Sequence, residues 1–239
     1  MPVFYLSDKI EFPPPYLATC EGLLAMGGDL CMERLLLAYR MGIFPWYGPH
    51  DPILWWSPDP RLVLYPSRLK VSRSLQKTIR KHRFHITMDT AFEKVITECA
   101  QSRLEKNEET WLVDEMIQAY CRLHEAGYAH SVEAWLEGTL AGGLYGVSLG
   151  KCFFGESMFT RISNASKTAF VTLVRYLENC SFDLIDCQVK TAHLMRLGAE
   201  EIPRLQFLAE LHESLTRPSH TGKWVFPFSS AAQKRLKHA

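Results

Sequence analysis

Hydrophobic positions in this chain recur with two periods. Several segments carry apolar residues every three or four positions, the spacing of one helix face, and others alternate or run apolar, as strands do. Helical spacing is predicted from about Leu30 to Met41, with Asp29 as N-cap candidate and Gly42 as the stop, and again from Ser72 to His82. Thr90–Glu93 reads as a capping box opening a helix to about Ser102, and residues 112–126 form another, closed by Gly127. Strands are predicted at Leu62–Tyr65 and Phe84–Met88. Two more, Ser131–Glu137 and Thr139–Val147, flank Gly138 as a hairpin. Lys151–Phe159 is a further strand, and Asn164 caps a helix to about Asn179. Phe182–Val189 is a strand, Ala192–Leu197 a short helix stopped by Gly198, and Pro203 opens the last helix. This order argues for an α+β (mixed α/β) fold, with a mixed sheet flanked by helices. Residues 1–61, rich in Pro, Gly and Trp, read as a small N-terminal lobe, and 62–239 as the larger domain. Trp46, Trp55 and Trp56 pack that lobe or line a groove.

Two carboxylates interrupt the strand pattern. Glu156 lies within Phe153–Phe159 and Asp186 within Phe182–Val189. An ionised carboxylate in apolar surroundings is costly unless paired or hydrogen-bonded. Strict alternation puts Asp186 on one face with Leu184 and Gln188, and Glu156 with Phe154 and Met158. Such a polar cluster beside apolar walls suits a small binding or catalytic pocket, while a structural ion pair remains the open alternative. Asp186 and Gln188 offer an acceptor and an amide, able to hold an amine and a carbonyl together. Ser131, Glu133, Trp111 and Tyr120 are candidates to add walls and hydrogen bonds.

Charge adds a second feature. The net charge is +1, yet eight of the 27 Lys and Arg fall between Arg61 and Arg83, with no acid from Asp59 to Asp89. Arg73, Lys77, Arg80 and Lys81 share one helical face, opposite Val71, Leu75 and Ile79. The stripe is expected to meet phosphate, from RNA or from a cofactor such as coenzyme A. The junction Thr160–Lys167 leads into a helix N-terminus, an anion site or simply a capped start. Seven cysteines without a CxxC pattern suit free thiols in a reducing compartment. With no signal-peptide pattern and no long apolar run, a cytoplasmic protein is expected. The nine histidines show no metal-ligand spacing, so no metal is expected.

Taken in order, these segments resemble the leucyl/phenylalanyl-tRNA–protein transferases. The resemblance spans about residues 20–210. It rests on Gly22–Leu30, Ala38–Trp46, Leu54–Arg61, Ala129–Glu133, Gly142–Val147, Gly155–Lys167, Leu184–Val189, Leu197–Ala199 and Glu201–Arg204. It implies a small lobe plus a GNAT-like acyltransferase domain. It implies an aminoacyltransferase that moves Leu or Phe, and Met less well, from aminoacyl-tRNA to the α-amine of proteins beginning with Arg or Lys. The product would enter N-degron proteolysis. No cofactor, no membrane and a monomer are expected. By this resemblance Arg73, Lys77, Arg80, Lys81 and Arg83 meet tRNA phosphates. Trp46, Tyr39, Trp111, Tyr120, Leu144, Phe153, Met158 and Leu173 hold the aminoacyl group and terminal adenosine. Asp186, Gln188 and Glu156 handle the reacting amines and ester. Leu144 and Leu173 depart from the Met and the aromatic that the family often carries, which changes the expected pocket's shape.

Aminolysis of an ester already activated by tRNA needs no ATP and no metal. An α-amine with a pKa of about 7.7–8.0 is already roughly 10–20% neutral near pH 7. Positioning therefore matters more than a strong base. Asp186, acting through Gln188, is expected to orient the acceptor amine and take or relay its proton, unless the ribose hydroxyl shuttles it. Glu156 is expected to hold the donor's amino group. An acyl-CoA-dependent N-acyltransferase is the main alternative, but its pyrophosphate loop should be Gly-rich, and Thr160–Lys167 has no glycine. An RNA-binding module without activity would leave the two carboxylates without a role.

Overall fold

The computed structural model describes residues 3–105, 110 and 112–226. The N-terminal part is built on a four-stranded sheet, which hydropathy alone does not reveal. It contains β1 (Phe4–Leu6), β2 (Leu23–Gly27), β3 (Phe44–Pro45) and β4 (Leu54–Trp56), in the order β1-β2-β4-β3. Helix α1 (Met32–Arg40) sits between β2 and β3. It starts later than Asp29 predicts. Cys31 is the N-cap, while Asp29 accepts the Cys31 amide (2.8 Å) and pairs with the buried Arg34 (3.2 Å). Arg34 also donates to the Lys9 and Ser7 carbonyls (both 3.0 Å), which ties the chain start to this lobe.

The larger part begins with β5 (Arg61–Leu64), followed by α2 (Arg73–Arg80), β6 (His85–Met88), α3 (Phe92–Leu104) and α4 (Asp114–Glu125). Next come β7 (Ala129–Leu136), β8 (Thr139–Leu149), β9 (Cys152–Thr160), α5 (Ala165–Asn179) and β10 (Leu184–Gln188). The chain ends in α6 (Ala192–Arg196), β11 (Glu200–Ile202) and α7 (Arg204–Leu215). Seven strands form one sheet, β11-β5-β10-β9-β8-β7-β6. Its neighbours are antiparallel except β9 and β10, which run parallel across the α5 connection. The result is a mixed α+β fold, a mixed sheet flanked by helices.

Local chemistry explains most boundaries. Ser72 caps α2 by accepting the Leu75 amide. Glu137 and Gly138 both take positive φ at the β7–β8 turn, the conformation a two-residue hairpin prefers. Thr90 does not cap α3. Its hydroxyl donates back to the Met88 carbonyl, and Ala91 occupies the N-cap without a side-chain bond. Asn164 likewise enters α5 in the left-handed region without a side-chain cap bond.

The sheet is covered on both faces. One face packs with α3, α4, α7 and the N-terminal sheet around Tyr39, Trp55, Phe154 and Phe207. The other packs with α5 and α2 around Phe153, Phe170, Ile185 and Trp224. All seven cysteines are free. Among the described residues no helix is long and apolar enough to cross a membrane.

Candidate active site

The cleft arises where two parallel strands part. The β9–β10 ladder ends with Asp186 opposite Phe154. Beyond it β9 stays with β8, while β10 remains with β5. Both strands are irregular there. Gly146 pairs with Gly155 and Tyr145 with Ser157, so Glu156 is the extra residue of a bulge. Gly146 lets the strands approach, since a Cβ on it would lie 2.2 Å from the Phe154 carbonyl oxygen. On β10 the register shifts between Asp186 and Gln188, and Gln188 has φ +63°. Bulges re-aim side chains in this way, and they favour sites.

This bulge corrects the alternation argument. Gln188 does not share a face with Asp186. It lines the cleft with Ile185, Cys187 and Val189, whereas Asp186 does not line it. The Asp186 carboxylate is fully buried and takes a two-point ion pair from Arg61, Nε to Oδ1 at 2.8 Å and Nη2 to Oδ2 at 2.7 Å. Its Oδ1 also accepts the Gln188 backbone amide at 2.9 Å. Asp186 thus fixes the backbone that presents Gln188. Arg61 leaves the expected phosphate stripe for the interior, its guanidinium between the Phe44 and Phe207 rings.

Glu156 meets the cleft directly and is the single carboxylate lining it among the described residues. Oε1 accepts Tyr39 Oη (2.8 Å) and Gln188 Nε2 (2.8 Å), and Oε2 accepts Tyr120 Oη (2.9 Å). The two phenol oxygens also touch each other. Burial pushes the Glu156 carboxyl up to about 7. The phenols and the Gln188 amide pull it back, and the Asp186 charge adds to the rise. Burial, reinforced by the Glu156 charge, pushes both phenols well above their ordinary range.

The cavity holds about 280 Å³. Leu144, Phe153, Met158, Phe170 and Leu173 form its apolar wall, and Trp46 stands at the mouth, 41% exposed. Tyr39 and Tyr120 stand behind Glu156 rather than in the wall. Trp111 lies outside the described residues. Ser131 and Glu133 are elsewhere: Glu133 is buried against Ser131, Thr87 and the Ala91 amide. Sequence reasoning missed Phe170, Arg103 and His193, which also line the cleft, because no local pattern separates them from core or surface residues. On α2 and just beyond it, Arg73, Lys77, Arg80, Lys81 and Arg83 are all exposed, while Leu75 faces inward.

Comparison with known proteins meets this geometry from the other direction. Residues 63–212 match the family described as leucyl/phenylalanyl-tRNA protein transferase, and residues 28–59 match that family's N-terminal domain. A leucyl/phenylalanyl-tRNA–protein transferase of Desulforapulum autotrophicum is 61% identical, over 95% of this chain and 99% of its own. Relatives of the same description from Desulfatibacillum aliphaticivorans and Nitrosomonas europaea are 61% and 57% identical, each over 94% of this chain, covering 96% and 95% of their own. With an apolar cleft at a bulged strand junction and identity of this extent over nearly its whole length, the chain belongs to the leucyl/phenylalanyl-tRNA protein transferase family and is an aminoacyltransferase.

Proposed function

We propose that the protein transfers Leu or Phe, and Met less readily, from aminoacyl-tRNA to the α-amine of proteins beginning with Arg or Lys, marking them for N-degron proteolysis in the cytoplasm. The observation that carries this reading is an apolar cleft whose single acidic lining residue, among the described residues, is Glu156. Leu144, Phe153, Met158 and Leu173 would hold the donor side chain, and Trp46 the terminal adenosine. Gln188 donates one of its two side-chain amide hydrogens to Glu156, which turns the amide's carbonyl oxygen away from that carboxylate. That carbonyl would accept a hydrogen from the attacking amine. Asp186 would position Gln188 rather than touch substrate, because Arg61 and the Gln188 amide occupy its oxygens.

The test uses Leu-tRNA, Phe-tRNA and Met-tRNA as donors, with peptides differing only in the first residue. Leu and Phe should appear on the α-amine of Arg- and Lys-starting peptides, and peptides starting with Glu or Ala should remain unmodified. Equal modification of all peptides would remove the proposed acceptor choice. Transfer from acetyl-CoA instead would favour the other acyltransferase class.

The exposed basic face of α2 supports contact with tRNA backbone. Replacing Lys77 and Arg80 by Ala should weaken binding of Leu-tRNA and Phe-tRNA equally. It should also reduce the slope of log K against log salt by about 0.7–0.9 per lost contact. A slope equal to that of the unaltered protein would take these residues out of the interface.

A further inference from the structure

Glu156, Tyr39 and Tyr120 close a ring of oxygen atoms behind the cleft. Tyr39 meets Oε1 at 2.8 Å, Tyr120 meets Oε2 at 2.9 Å, and the two phenol oxygens meet each other. These are three contacts, but the two phenols bring two protons between them. If Glu156 is ionised, one contact sets lone pair against lone pair. A proton on the carboxyl fills the third contact and completes the ring. The phenols cannot change this count by ionising, since burial, together with the Glu156 charge, holds both protonated. Tyr39 and Tyr120 are closed off from solvent, so water cannot readily supply the missing hydrogen.

The surroundings leave this group free to exchange a proton with the cleft. Gln188 on β10 donates to Oε1. Asp186 on the same strand is matched by Arg61 of β5. Tyr145 of β8, Arg103 of α3 and His193 of α6 line the cleft, as does Cys187, whose thiol burial holds protonated. Asp186, the residue expected from sequence to take the amine's proton, has no free face toward the cleft. Glu156 does.

We infer that the Tyr39–Tyr120–Glu156 ring accepts the proton of the attacking amine and returns it to the departing ribose oxygen; the inference rests on the transfer reaction proposed above. The amine nitrogen bonds to the ester carbonyl carbon as one N–H proton passes to the Glu156 carboxylate. When the C–O bond to the ribose breaks, that proton passes from Glu156 to the leaving oxygen. The products are an amide and a free ribose hydroxyl, and Glu156 is ionised again, so no proton is gained or lost. A carboxyl near 7 suits both halves, because acid–base catalysis works best when the pKa lies near the working pH. Glu156 is then the catalytic residue, and Tyr39 and Tyr120 are positioning residues.

The experiment compares the unaltered protein with Glu156→Gln and Tyr120→Phe in single-turnover transfer from Leu-tRNA to an Arg-starting peptide. Glu156→Gln should lower kcat by about 10²–10⁴-fold with the acceptor KM little changed. The part of the rise of rate with pH that is centred near 7 should vanish in the variant, leaving the rise of the acceptor amine at about 7.7–8.0. A raised KM with kcat retained would overturn the proposal, because Glu156 would then be holding a cation. Tyr120→Phe should displace the midpoint of the rise near 7, and an unmoved midpoint would overturn the ring. Infrared spectroscopy reads the proton without any activity: a protonated-carboxyl band should titrate near 7 and be missing in Glu156→Gln. Absence of the band in the unaltered protein overturns the inference. Absence of transfer with the band intact overturns the assigned reaction instead.

Discussion

Replacing Arg61 by Ala is expected to destabilise the protein by about 3–5 kcal/mol, because it strands a buried carboxylate. Both side chains of the Arg61–Asp186 pair are fully buried, so solvent does not screen the loss. Arg61 also joins four elements. It comes from β5, its ion pair reaches β10, and its guanidinium lies 4.8 Å from the Phe44 ring of β3 and 4.6 Å from the Phe207 ring of α7. Losing it loosens the small sheet, the large sheet and the last helix together. Asp186→Asn should be comparably harmful, since it leaves the cation unmatched. Loss of activity in that single variant is therefore no evidence for catalysis by Asp186. The informative variant changes both partners. Arg61→Met with Asp186→Leu removes both charges, and apolar replacement of a buried pair is often neutral. Urea unfolding should show the double variant recovering most of the stability that Arg61→Ala loses. A single variant within about 0.5 kcal/mol of the unaltered protein would mean that the pair does not hold the fold; surface substitutions are typically this mild.

The same pair shows where the sequence can be read and where it cannot. The β7–β8 hairpin is legible because Gly138 and the flanking apolar residues act within a dozen positions. Helix α2 is legible for the same reason, with Ser72 as cap and Leu75 on the inner face. The four-stranded N-terminal sheet is not, because its strands span two to five residues and β1 pairs with β2 from 21 positions away. Asp186 and Arg61 are 125 residues apart, and each looks like something else locally: a site carboxylate and a phosphate contact. Glu156 and Gln188 are legible in the sequence as candidates, but their directions are not. Alternation assumes unbroken strands, and both residues lie at register shifts that it cannot foresee. The geometry speaks against a division of two amines between two carboxylates, since a single carboxylate lines the cleft among the described residues.

Trp224 is the second position where a large loss is expected, about 3–5 kcal/mol for Trp224→Ala, the range for emptying a buried large aromatic site. It lies beyond residues 63–212, the segment matched by the family, in a terminal stretch, 218–239, that contributes little to the sequence resemblance. In the fold it is 1% exposed. Its backbone amide donates to Asp89 Oδ2 at 2.6 Å, and its indole nitrogen donates to the His220 carbonyl at 3.0 Å. The indole stacks on the buried His130 ring at 3.8 Å and lies 5.1 Å from Tyr176 and 5.9 Å from Phe153. His130 itself is held by Asp89, Nδ1 donating to Oδ2 at 2.8 Å. The segment is fastened further along by Ser219, which accepts the Gly150 amide, and by Gly222, whose amide donates to Gly127. Phe153 turns this anchor into a matter of function, for it contacts the indole and also lines the cleft. Emptying the Trp224 site gives Phe153 room to retreat, so the cleft wall softens and donor selection should weaken. A methylene's difference in such a pocket is worth about 1–3 kcal/mol, which sets the scale on which the ratio of Leu to Phe transfer can change. Trp224→Phe keeps most of the stacking and should keep most of both stability and preference. Denaturation midpoints with paired Leu-tRNA and Phe-tRNA rates on the two variants check this. If Trp224→Ala lost stability but kept the donor ratio, the segment would be an anchor that leaves the pocket wall alone.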